Sequence, residues 1–125
     1  MLKSQIKKLD KLWSEAVKMK ANNRCEYCHK NNIFLNSCHI IGRRYRTLRW
    51  DLKNGMCLCY IHHQAYDHHL PQHDDIINTV VGKSRIENLK KQKEIVAKHQ
   101  NFEEIKSTLL RNTEKTNELQ RKTSS

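Results

Sequence analysis

The 125 residues carry 24 Lys and Arg against 13 Asp and Glu, a formal charge of +11, with 37% hydrophobic residues, three Gly and one Pro. That length bounds the chain to one domain with extensions, and so apolar a minority excludes a core that holds by burial alone. No run of about 18 apolar residues occurs, which excludes an ordinary helical membrane span, and the charge points to a polyanionic partner, of which nucleic acid is the usual one.

Residues 2–21 read as a helix. Leu2, Ile6, Leu9, Trp13, Ala16 and Val17 fall on one stripe, and Lys3, Lys7, Lys8, Lys11 and Lys18 lie mostly off it. Either the lysines are solvated, or their face touches phosphate or a partner. The first residues lack the apolar stretch of a signal peptide, so an intracellular, cytoplasmic protein is expected. Asn22-Asn23 breaks the helix, and Cys25-Glu26-Tyr27-Cys28 forms a knuckle between short extended pieces. Ser37 to Ile41 reads as a strand and Gly42 to Leu48 as a basic loop. Trp50 to Gly55 is turn-like, since Asn-Gly favours left-handed backbone. Met56 to Cys59 is a second strand, and Ile61 to Leu70 a helix stopped by Pro71. Helical spacing resumes with Ile76, Ile77, Val80 and Val81, closed by Gly82, and again with Ile86, Leu89 and Ile95-Val96. Asn101 and Glu104 open a last helix in the manner of a capping box. From Asn112 the composition is polar enough to predict a frayed or disordered tail.

The fold class expected is therefore α+β and mainly helical. The segments are a basic amphipathic helix (1–22), a core that carries the cysteines and most of the histidines (23–71), a helical extension (72–111) and the tail (112–125).

Five cysteines interleaved with histidines suit metal binding better than a disulfide framework. Cys25-x-x-Cys28 and Cys59-x-x-His62 have the spacing of two half-sites of one tetrahedral ion, a Cys₃His structural zinc site. A redox role for Cys25-x-x-Cys28 would need a βαβ context, which is absent. Cys57 would face the same side of a strand as Cys59 and competes with it. Cys59 is preferred because, with His62, it repeats the first half-site.

Once those four are set aside, His39, Asn54 and His63 remain, at intervals of 15 and 9 residues. On a helix His63 would point about 100° away from His62, and Asp67 would lie one turn beyond it on the same face. Cys38 precedes His39. Hydrolysis of a phosphodiester needs a base for water and a cation on the phosphate, and an imidazole with a pKa of about 6.5 suits the first task.

The stretch 25–71 resembles the HNH endonucleases, the zinc-stabilised branch of the ββα-metal or His-Me finger nucleases, and among them small proteins of phages and prophages. The residues that carry the resemblance are Cys25-x-x-Cys28, Cys38-His39-Ile40-Ile41-Gly42-Arg43, Arg49-Trp50-Asp51-x-x-Asn54-Gly55, Leu58-Cys59-Tyr60-x-His62-His63 and His68 to Pro71. The part from 72 to about 110 is similar more loosely. The resemblance implies a ββα core and a metal-dependent DNA endonuclease acting on double-stranded DNA. His39 would be the general base, Asn54 would hold the loop and the His39 backbone, and His63 would ligate a catalytic divalent ion (Mg²⁺, Mn²⁺, Ni²⁺ or Zn²⁺). The residue before the base is usually Asp or His; here it is Cys38, a soft donor better suited to a transition metal. Either Cys38 ligates, or it fills space and Asp67 or His68 takes its place. His69, His73 and His99 have no assigned role.

Arg43, Arg44, Arg46 and Arg49 crowd the segment after His39, with Tyr45 and Trp50 among them, and read as phosphate contacts, Arg43 and Arg44 first. The alternative function is a zinc-stabilised nucleic-acid-binding module without cleavage. A zinc-stapled protein-interaction module is a third. Leu2, Ile6, Leu9 and Trp13 would serve a homodimer seam as well as an intramolecular one, so both monomer and homodimer fit.

Overall fold

A computed structural model describes residues 1–95 and 100–123, with side chains described as far as residue 120. Val96, His99 and the last two residues lie outside this set. The described chain is α+β and mainly helical. Helix α1 (Lys3–Lys20) comes first and ends where Asn22 and Asn23 turn left-handed (φ 56° and 54°). Strand β1 (Leu35–His39) pairs antiparallel with β2 (Gly55–Cys59), with Leu35 opposite Cys59 and His39 opposite Gly55. Between the strands lie α2 (Arg46–Arg49), which begins within the segment predicted as loop (Gly42 to Leu48) and ends one residue past it, and a 3-10 turn (Leu52–Asn54). Helix α3 (Tyr60–Asp67) leaves β2 without a linker. Then follow α4 (His73–Ile76), a π turn (Ile77–Val81), α5 (Lys83–Lys93) and α6 (Phe102–Thr123). Among the described residues no helix is long and apolar enough to cross a membrane.

The two-stranded sheet is covered on both faces, which is why all five residues of β2 are buried. On one side Leu9, Trp13 and Val17 of α1 pack with Trp50, Cys57 and Leu109 of α6. On the other, Cys38, Ile40, Met56 and Leu58 pack with Ala65, Tyr66, Ile76 and Leu89. Cys57 and Cys59, expected on one side, part company. Cys57 stays in the α1 core, while β2 ends at Cys59, which joins Cys25 in the opposite core.

Three further expectations are corrected. Gly55 is extended (φ −121°) rather than left-handed. Its lack of a side chain serves the close approach of α1, because a Cβ there would lie 2.5 Å from Val17 Cγ2 and 2.9 Å from Trp13 Cζ2. Gly55→Ala should therefore cost about 1–3 kcal/mol, measured by denaturant unfolding. Ile95, read as part of the same helix as Ile86 and Leu89, lies beyond the end of α5 at Lys93 and is 60% exposed. The polar segment from Asn112, expected to fray, continues α6 to Thr123. Gln120 Nε2 donates to Met19 O (3.1 Å) and Asn22 Oδ1 (2.6 Å), so packing along α1 overrides the polar composition. The predicted cap holds as expected: Asn101 Oδ1 accepts from Glu104 N at 3.2 Å.

Candidate metal centre and adjoining cavity

The knuckle closes through backbone bonds from Cys25 N to Lys30 O (3.0 Å) and from His29 N to Cys25 O (2.8 Å), with His29 left-handed. Glu26 ties it to β2: its N–H donates to Cys57 O (2.8 Å) and its Oε2 accepts from Cys57 N (2.9 Å). Cys25 and Cys28 thereby meet the end of β2 and the first turn of α3. Cys25 Sγ lies 3.7 Å and Cys59 Sγ 3.2 Å from His62 Nδ1, and Cys28 Sγ lies 4.0 Å from Cys59 Sγ. Thiolates about 2.3 Å from a tetrahedral ion would be about 3.8 Å apart. All four ligand atoms lie within 4.8 Å of one another. Cys25, Cys28, Cys59 and His62 form a cluster that could hold a metal ion such as zinc. Burial alone would raise the Cys25 thiol. The N–H groups of Cys28, Cys59 and Tyr27, with His62, outweigh it and bring the thiol down to about 6.

A second group lies beyond this cluster. The end of β1 supplies Cys38 and His39, and α3 supplies His63 and Asp67. One cavity of about 500 Å³ is lined by these four together with Arg43 and with Asp10, Trp13 and Ser14 of α1. Donor atoms of Cys38, His63 and Asp67 lie within 4.8 Å of one another. His63 Nε2 is 2.9 Å from Asp67 Oδ2, while His63 Nδ1 is buried without a hydrogen-bond partner. Asp67 faces Nε2, so an ion shared by the trio would sit on the Nε2 side of the ring. A thiol, an imidazole and a carboxylate so placed could hold a metal ion. His68, the other candidate, is exposed and bonds Gln64 Oε1 at 2.9 Å, apart from the trio. Burial, then the Asp67 charge, pushes the Cys38 thiol far up from its ordinary value.

His39 is held on two sides. Its Nε2 lies 2.9 Å from Arg49 O, and since a carbonyl only accepts, Nε2 carries the hydrogen. Nδ1 is left as the lone pair. Burial, chiefly, with the Arg43 charge, lowers the His39 pKa against the opposing pull of the Arg49 carbonyl, which keeps the ring neutral near pH 7. Asn54 is fully buried. Its Oδ1 accepts from Ile41 N (2.8 Å), its Nδ2 donates to Ile41 O (2.9 Å) and Leu48 O (3.2 Å), and its own carbonyl accepts from Ile40 N (2.9 Å). It touches the chain immediately after His39 and bonds across the loop that follows.

The four arginines divide. Arg43 is exposed and lines the cavity. Arg44 stacks on Tyr45 and donates to its hydroxyl at 2.9 Å. Arg46 lines a separate cavity with Trp50 and Gln100. Arg49 forks onto Asp10 (Nε to Oδ1 3.0 Å, Nη2 to Oδ2 2.7 Å), and Trp50 Nε1 adds a bond to Oδ1 at 2.9 Å. Arg49 is thus spent inside the fold. Asp10 and Trp13 were missed as site residues. Trp13 read only as part of the apolar stripe, and the available signal was a lone carboxylate, Asp10, among the lysines of the first three turns. Burial would raise the Asp10 carboxyl, but the bonds from Arg49 and Trp50 and the Arg49 charge hold it below its ordinary value. A lowered folded pKa contributes stability above the unfolded value of about 3.9 that is lost as pH falls through the folded one. Asp10→Asn should flatten that part of the acid unfolding curve below about pH 4.

Comparison of the chain with family models, curated proteins and solved structures gave no match.

Proposed function

We propose that the protein is a metal-dependent DNA endonuclease of the HNH type, whose β1, β2 and α3 form a ββα-metal core pinned by structural zinc. One observation carries the proposal: His39 and the Cys38, His63 and Asp67 trio line a single cavity. The order of zinc half-sites around His39 and His63, the net charge and the exposed Arg43 support it.

On this reading His39 Nδ1 takes the proton from a water attacking phosphorus, and the Arg49 carbonyl retains the Nε2 hydrogen as the ring becomes cationic. Arg43 binds a non-bridging oxygen. Asn54 ties the chain after His39, at Ile41, to Leu48 further along the same loop. A divalent ion held by His63, Asp67 and Cys38 would supply charge to the phosphate and the leaving 3′ oxygen, giving 5′-phosphate ends. Cys38 makes Mn²⁺, Ni²⁺ or Zn²⁺ better suited than Mg²⁺.

The second reading is a zinc-stabilised nucleic-acid-binding module without cleavage. The observation favouring it is Cys38 itself, a thiol only 2% exposed whose Sγ lies 3.6 Å from His39 O. Metal content separates the two. Dialysis against Mn²⁺ or Zn²⁺ should load two ions per chain on the wild type and one on His63→Ala, and the variant should lose cleavage but keep salt-sensitive DNA binding. One ion per chain on both, with DNA bound and uncut, selects the binding module.

A further inference from the structure

The N-terminal helix lies outside the motifs that suggest a nuclease, yet it supplies one wall of the cavity. The Trp13 indole lies parallel to the His39 imidazole, ring centroids 3.8 Å apart and planes 9° from parallel. The indole cannot turn freely, because its Nε1 donates to Asp51 O at 2.9 Å. The opposite constraint on His39 comes from the Arg49 carbonyl, and Arg49 is the residue that forks onto Asp10, one helical turn before Trp13. Trp50 Nε1 braces the same carboxylate. One helix therefore grips the imidazole twice, through its face and through the carbonyl that takes its Nε2 hydrogen.

A tryptophan that only fills a core has no need of a polar ring across its face at the wall of an open cavity. A histidine at the end of a strand can flip about its last side-chain torsion, which puts Cδ2 in place of Nδ1 and Cε1 in place of Nε2. The stack fixes the plane and the carbonyl fixes the direction. We infer that α1 belongs to the catalytic apparatus, with Trp13 and Asp10 as positioning residues that hold His39 in the Nε2-protonated form with Nδ1 bare. The inference rests on His39 acting as the base, and it adds what sets that base in place.

The test uses the zinc-loaded full chain. Multiple-bond ¹H–¹⁵N correlation spectra report the histidine tautomers, with His39 assigned by its loss in His39→Gln. The wild type should show His39 in the Nε2–H form alone. Asp10→Ala and Trp13→Leu should give mixed tautomers and lower kcat for DNA cleavage about 10- to 100-fold, with KM within about twofold. Trp13→Phe, which keeps a flat face, should restore both readouts. Asp10 is only half-buried, so its variant remains informative if Trp13→Leu fails to fold. An Nδ1–H tautomer in the wild type overturns the inference. So does a loss of stability in Asp10→Ala that leaves both tautomer and kcat unchanged. Wild-type protein that cuts no DNA while its His39 tautomer still answers to Asp10 removes the nuclease reading and leaves the clamp standing.

Discussion

Chelation of metal from the Cys25, Cys28, Cys59 and His62 cluster is expected to unfold the domain, and added Zn²⁺ to refold it. Those four residues join the knuckle, the end of β2 and the start of α3 at one point. Structural zinc supplies about 10–16 kcal/mol in small modules, against a net stability of about 5–15 kcal/mol for a typical domain. Its loss exceeds what a thin core can offset. The near-ultraviolet signal of Trp13 and Trp50 should vanish under chelator, since both pack on elements the cluster holds in place. Cys59→Ser should do the same without chelator. Cys57→Ser is the control: the residue is fully buried, but it packs against Leu9 and Trp13 and lies outside the cluster, so metal content should stay unchanged. A folded domain that persists in chelator would mean that the cysteines act only as core residues.

His39→Ala is expected to reduce DNA cleavage by about 10²- to 10⁴-fold while DNA affinity and the unfolding midpoint change little. The imidazole contributes one hydrogen bond to Arg49 O and one face to Trp13, and neither anchors an element that Asn54 and the Asp10 pair do not already hold. DNA binding of the kind proposed would draw on the charge spread along the chain, so the variant is expected to show the same salt dependence as the wild type. The large change is therefore confined to the step that removes a proton from water. An equal loss of binding and cleavage would instead make His39 a contact or packing residue.

Local features were the most legible. A Cys-x-x-Cys spacing brings two thiols to one point whatever the rest of the chain does, and the Asn101 cap acts over three residues. The two strands were legible less sharply: the sequence places them over Ser37–Ile41 and Met56–Cys59, whereas β1 lies two residues earlier, at Leu35–His39, and β2 takes in Gly55. What escaped depends on distant partners. Asp10 meets Arg49 across 39 positions, and nothing in either segment alone announces the pair. The reach of α6 to Thr123 comes from contact with α1, which composition does not record. Gly55 was noticed for its backbone freedom, when the cause is the approach of Val17 and Trp13. At Cys38 the residue type left ligation open, and only its placement beside His63 and Asp67 turns a buried thiol into a candidate donor.

The most direct measurement is conversion of supercoiled plasmid to the open-circular form by zinc-loaded protein, across Mg²⁺, Mn²⁺, Ni²⁺ and Zn²⁺, with His39→Ala beside it. A metal-dependent nuclease with His39 as its base should give nicking by the wild type with at least one of these ions, strongest with a transition metal, leaving 5′-phosphate ends, and no nicking by the variant. Plasmid left intact by the folded wild type under every ion, or cut equally by His39→Ala, would contradict it.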